Sequence, residues 1–227
     1  MKIIGLLSNI KRRFYKNPRP SLNDLDRKLG KYLNFRGGFF IEVGANDGYS
    51  QSNTYFLEKR LGWRGVLIEG MPELYEKCKK ERAGSIVYNC ALVSKDFLNP
   101  SVTMHFAGLM SVVDGALKTE EEQEKHLNTG VDVQHLCGSY SIDVPARTLE
   151  SILDETQNLP AIDFFSLDVE GYELNVLKGL NLSKYRPKYI LVESKFFEEV
   201  NAFLEERGYN MIEKLSYHDY LYKTRNA

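Results

Sequence analysis

A chain of 227 residues with 43% hydrophobic and 27% charged content suits one α/β domain with about thirty residues to spare, and it needs no covalent staple to bury a core. Three scattered cysteines, Cys78, Cys90 and Cys137, form no Cys-x-x-Cys pair, which argues against a disulfide framework or structural zinc and for a reducing, cytoplasmic compartment. Net charge is −1 but unevenly divided: residues 1–37 carry +8 and the remainder −9, so a nucleic-acid polymer is not the expected partner of the acidic body.

In chain order, residues 1–15 fit an amphipathic interfacial helix, which would let residues 1–20 rest on a membrane surface; a solvated helical extension fits the same charge. No apolar run approaches the roughly twenty residues of a transmembrane span. Asn17-Pro18-Arg19-Pro20 breaks the chain. Leu22, Leu25, Leu29 and Leu33 then recur at helical spacing until Gly37-Gly38. Residues 1–37 are therefore expected as a basic helical extension and 38–227 as the domain. From there short apolar runs alternate with amphipathic segments, the pattern of a mostly parallel sheet with helices on both faces. Strands are expected at 39–43, 65–69, 86–91, 162–168 and 188–193, and helices at 50–61, from Pro72, at 172–178 and from Phe196 to before Gly208. Residues 209–215 and 219–223 read as a terminal antiparallel hairpin. Residues 94–147 break the rhythm, with short strands at 102–106 and 142–144 and a charged helix, loop or lid at 119–127. Residues 107–140 are either a cap over the strand ends or an ordinary surface excursion.

Glu42-Val43-Gly44-Ala45-Asn46-Asp47-Gly48 closes the first strand and opens the next element. Glycines at 44 and 48 would let a ligand approach the turn closely, and ligands of open α/β sheets sit outside the carboxyl ends of strands. This spacing is neither the Gly-x-Gly-x-x-Gly dinucleotide fingerprint nor a phosphate loop. A pyrophosphate would be repelled by Glu42 and Asp47, whereas the sulfonium and ammonium of S-adenosylmethionine suit them. Glu69, ending the second strand, stands where a nucleoside-binding sheet places an acid for the ribose hydroxyls, and Asn89 and Ala91 could border the adenine. Asp168 and Glu170 leave the fourth strand together. They could remove a proton from an acceptor hydroxyl or hold a divalent metal, with Glu193 as a third oxygen ligand. His105, in a strand near the cleft, is a further catalytic candidate, and Lys195 could orient a substrate.

These stretches, with Val66-Leu67-Ile68-Glu69, Arg147-Thr148-Leu149-Glu150-Ser151-Ile152-Leu153 and Leu167-Asp168-Val169-Glu170-Gly171-Tyr172-Glu173 followed by Leu177-Lys178-Gly179, resemble the FkbM family of S-adenosylmethionine-dependent methyltransferases over about residues 38–215. The resemblance implies a Rossmann-like class I methyltransferase fold, with a seven-stranded sheet and a reversed last strand. It also implies transfer of a methyl group to a hydroxyl of a small molecule, sugar or glycan. In that reading Glu42, Gly44, Ala45, Asn46, Asp47 and Gly48 cradle the cofactor's amino-acid end, Glu69 its ribose, and Asp168 with Glu170 the reacting centre. Two departures stand out: Gly70-Met71 follows the ribose acid, and residues 107–140 match no family pattern. A non-catalytic adaptor on the same fold, associated with a membrane through the basic arm, and a nicotinamide-dependent oxidoreductase are the alternatives; the acidic turn disfavours the second.

Overall fold

The computed structural model describes residues 16–225, so the expectations for the first fifteen residues lie outside the described residues. β1 (Phe39–Val43) and β2 (Arg64–Glu69) are largely apolar, as strands buried on both faces tend to be, with Glu42 and Glu69 near their carboxyl ends. With β3 (Ile86–Asn89), β8 (Phe164–Leu167), β9 (Tyr189–Glu193), β10 (Tyr209–Lys214) and β11 (Asp219–Thr224) they form a seven-stranded sheet in the order β3-β2-β1-β8-β9-β11-β10. The pairs joining β3, β2, β1, β8 and β9 are parallel; β11 runs antiparallel to β9 and β10. This is the expected α/β sheet with its reversed last strand.

Register aligns the strand exits. Val43 lies beside both Ile68 and Leu167, and Leu167 beside Val192. Gly44, Glu69, Asp168 and Glu193 therefore leave the sheet side by side at its carboxyl edge, at the switch point where ligands of such folds bind.

The two-residue alternation of the strands sends Ile41, Phe165 and Ile190 to one face, against α5 (Leu149–Glu155), α6 (Glu173–Lys178) and α7 (Phe197–Glu206). Phe40, Phe164 and Leu191 go to the other face, where Leu25, Leu29 and Leu33 pack with Leu57 of α2 (Tyr55–Leu61) and Cys78 of α3 (Pro72–Glu81). Packing therefore draws residues 25–33 into the domain core rather than leaving them in an extension ending at residue 37. The helix there is α1 (Leu25–Leu29), shorter than its leucine spacing suggests, because Asn23 and Asp24 adopt left-handed backbone just before it.

Residues 50–61 do not form one helix. Asp47 accepts hydrogen bonds from the Tyr49 and Ser50 amides, and Gln51 has φ of 58° and bridges Ser21. The helix starts only at Tyr55, whose amide is met by the Ser52 hydroxyl.

The third strand also divides. After Asn89 the chain crosses to a second sheet in which β4 (Ala91–Leu92), β7 (Tyr140–Arg147), β5 (Ser101–Phe106) and β6 (Val112–Val113) lie in that order. Between β6 and β7, α4 (Glu120–Val133) begins at Thr119, whose hydroxyl accepts from the Glu122 amide, and carries three glutamates in its first turn, complementing the helix dipole. Met71, Leu74, Ala91, Met104, Val113 and Val144 pack this second sheet against the start of α3.

Candidate active site

A cavity of about 610 Å³ opens at the aligned strand exits, within the size range of small-molecule sites. Three parts of the chain wall it. The exits supply Gly44, Ala45, Asn46, Glu69, Asp168 and Glu193; the N-terminal segment supplies Leu22; and residues between β5 and β7 supply Met110, His126 and Gln134. Residues 107–140 thus reach over the strand tips. Gln134 pins this cover, donating to the carbonyl of Ala107 and accepting from the amide of Leu109, both at 2.8 Å.

Glu69 is buried, and its two oxygens accept from the amides of Asn46 at 2.7 Å and Met71 at 2.8 Å. Burial outweighs those amides and pushes its carboxyl up to about 7. The Gly70-Met71 departure acquires a role here: the Met71 amide grips Glu69, and a Cβ on Gly70 would strike the Met104 sulfur.

Asp168 is held well above the usual carboxylate range, first by burial and then by Glu193, Glu170, Glu173 and Asp219. Glu193 is pushed up to about 7 by burial and by Asp219, Glu170 and Glu173, against the hydrogen bond that Asp168 gives it. Carboxyls crowded at one edge hold protons because their charges repel. Glu170 has φ of 59° and Gly171 φ of 114°, a turn fixed by buried Glu173, which accepts from the amides of Gly171 and Val169.

The remaining candidates are engaged mainly by other parts of the chain. Glu42 borders the cavity, but its carboxylate is engaged by Ser52, by Thr54 at 2.5 Å, by the Asn53 amide and by fully buried Arg82 at 3.1 Å. Arg82 also meets Glu58 at 2.9 Å, so the acid completes a buried ion cluster beneath the turn. Asp47 caps its own turn through Tyr49 and Ser50 and does not line the cavity. Asn89 donates to the carbonyls of Glu69 and Gly70, and Ala91 is buried in the second sheet. His105 stands outside the cavity, its ring between Ser141 at 2.8 Å and Asp114 at 3.0 Å.

The glycines of the turn also act differently from expectation. A Cβ on Gly44, at φ of 82°, would lie 1.9 Å from the carbonyl oxygen of Asp168; one on Gly48 would meet Arg82 and Cys78. The free space at both positions is taken up by the protein, which brings β1 and β8 close enough for their exits to share one cavity.

Sequence reasoning missed His126. The Lys195 ammonium lies 3.1 Å from its Nδ1 and 2.9 Å from Glu170, while its Nε2 lies 3.1 Å from the carbonyl of Met110 and 3.6 Å from Glu170. Because a lysine can only donate, Nδ1 accepts and Nε2 carries the proton to Met110. Burial, then Lys195, lowers the pKa of this imidazole. No spacing signal could have found it, since its partners lie far away in sequence. Among the described residues no group of three or more His, Cys, Asp or Glu is arranged to hold a metal ion.

Residues 42–211, which contain every strand exit above, match the Methyltransferase FkbM domain. The chain belongs to the FkbM methyltransferase family. It is 25% identical to the methyltransferase sdnD of Sordaria araneosa, over 76% of this chain and 74% of that one. Among solved structures, the FkbM chain resembles a methyltransferase from Aquifex aeolicus (16% identity, 95% and 96% of the two chains, TM-score 0.43). It also resembles a TehB-like one from Corynebacterium glutamicum (9% identity, 88% and 87%, TM-score 0.43). Among the described residues no helix is long and apolar enough to cross a membrane.

Proposed function

We propose that this FkbM protein is an S-adenosylmethionine-dependent O-methyltransferase acting on a hydroxyl of a small molecule or glycan. The observation that carries the reading is the convergence of Glu69, Asp168, Glu170 and Glu193 on one cavity whose lining holds a single lysine, itself paired with Glu170. Such a lining suits a ligand with positive charge and hydroxyls and opposes one with phosphates. S-adenosylmethionine fits that description, and when bound it supplies a methyl carbon whose bond to sulfur breaks with the electron pair going to sulfur.

The chain's own residues have separable tasks. Glu69 accepts from ribose hydroxyls, each oxygen retaining a lone pair beyond its amide bond. Asn46 and Ala45 border the amino-acid end, and Gly44 sets the distance between the walls. Asp168 and Glu193 release protons as a cation arrives and then neutralise it. Glu170 stands on the acceptor side with Lys195. The cover formed by residues 107–140 excludes water, and positioning does most of the remaining work of a displacement of this kind.

Mass spectrometry of cell-extract components exposed to the protein and methyl-labelled S-adenosylmethionine tests the reading. A labelled methyl ether is the expected product, and Asp168→Asn is expected to weaken S-adenosylmethionine binding and to lower the yield of that product. Label on nitrogen or carbon would overturn the O-specific part; binding with no labelled product would leave an adaptor.

A further inference from the structure

A second recess of about 420 Å³ adjoins the cofactor cavity at His126. Its apolar surface comes from Met110, Leu117 and Phe196, and its rim from the exposed Glu122, Lys125 and Thr129 of α4. Met110, His126 and Lys195 line both spaces, so the two meet at the imidazole and at nothing else that can carry a proton away from an oxygen except the Glu170–Lys195 pair already engaged there.

The geometry points to this recess as the acceptor subsite, taking an alcohol carried on an apolar body, with His126 as the base that receives the hydroxyl proton. This rests on the methyl-transfer reading of the main cavity. The apolar residues decide the class: with Glu122, Lys125 and Thr129 exposed at the rim, Met110, Leu117 and Phe196 offer a sugar no hydrogen-bond partners, while they would remove an apolar skeleton from water. The position of the imidazole decides the role. Its Nδ1 faces Lys195, whose long exposed side chain can withdraw while keeping its bond to Glu170. An acceptor hydroxyl then donates to Nδ1 in the place of the ammonium. The proton passes to Nδ1, and the oxygen keeps the electron pair that forms its new bond to carbon. The imidazolium donates from Nε2 to the carbonyl of Met110 and lies 3.6 Å from Glu170, a carboxylate placed to stabilise it; water then takes the proton. α4 therefore brings both a wall of the subsite and its base.

The test uses the full chain labelled with ¹⁵N-histidine and loaded with S-adenosylhomocysteine, titrated with 1-octanol and, separately, with methyl α-glucopyranoside. His126→Asn identifies the resonance. Octanol is expected to move the His126 Nδ1 signal and the glucoside to leave it in place. Thr129→Arg, on the exposed side of α4, is expected to remove the octanol response by filling the recess. A response to the glucoside alone, an undiminished response in Thr129→Arg, or none to octanol up to its solubility overturns the subsite. For the base role, His126→Asn is expected to lower methyl transfer into the organic-soluble fraction of an extract by about 100-fold or more, with the calorimetric affinity for S-adenosylmethionine within about threefold of the parent protein. A loss of less than tenfold overturns that role. If the parent protein binds no S-adenosylmethionine, the methyl-transfer reading fails first, which calorimetry reports independently of the octanol response.

Discussion

Glu69 accepts two backbone amides across the β1–β2 exits, so the acid that would receive a ribose is already oriented. Losing it removes charged hydrogen bonds worth about 1.5–3 kcal/mol each, and Glu69→Ala is expected to weaken S-adenosylmethionine binding by roughly 100-fold or more by calorimetry. Gly44 works through the fold instead. Gly44→Ala would drive a methyl into the Asp168 carbonyl from a backbone conformation that alanine adopts at a cost. Strain and overpacking of about 2–4 kcal/mol are expected, read as a lowered midpoint in chemical unfolding. The motif was legible here while its physical reason was not. Alternating glycines and acids in the turn mark a strand exit, but only coordinates reveal that Arg82 lies behind Glu42 and that Asp168 fills the space beside Gly44.

At the scale of elements, the main sheet was readable because its central strands are short, largely apolar runs separated by amphipathic segments, and their parallel direction follows from the helices between them. The second sheet was only partly readable. β4 and β6 have two residues each, too few to show a period, and β4 branches from what reads as one strand across residues 86–91. α4 was placed at its start by Thr119 and the glutamates that follow, yet its reach to Val133 and its place over the cavity depend on Gln134, whose partners are 25 and 27 residues away. Gln134→Ala removes both bonds and a third to the Gly130 carbonyl, at about 1 kcal/mol each. Amide exchange at Leu109 and along α4 is expected to speed up by roughly 10- to 100-fold while the main sheet keeps its protection. Equal acceleration throughout the molecule would mean that the cover is not a separate unit.

For the whole molecule, the acidic edge links stability to pH. Burial lifts Glu69 and Glu173 from 4.5 to about 7, so the native state keeps protons that the unfolded chain has lost. That stabilisation is fully present below pH 4.5 and is lost as pH rises through about 7. Glu58 and Glu81, whose values are lowered, act below pH 4.5 and leave this window alone. The ligand-free protein is expected to be less stable at pH 8 than at pH 5.5, by on the order of 2 kcal/mol for each of Glu69 and Glu173, with the raised Glu193 and Asp168 acting in the same direction and the lowered His126 opposing them, measured by urea unfolding. A flat profile would mean that these carboxyls are solvated in the free protein.

The same protons report on the ligand, because a cation entering the carboxylate edge must expel them. Calorimetric titration of S-adenosylmethionine at pH 6 and pH 8, in buffers of different ionisation enthalpy, measures this directly. Tighter binding at pH 8, proton release at pH 6, and no binding of NAD at either pH are the predicted results. Binding of S-adenosylmethionine that is independent of pH, or NAD binding as tightly, would contradict the account of a negatively charged pocket built by neighbouring strand exits to hold a cationic nucleoside.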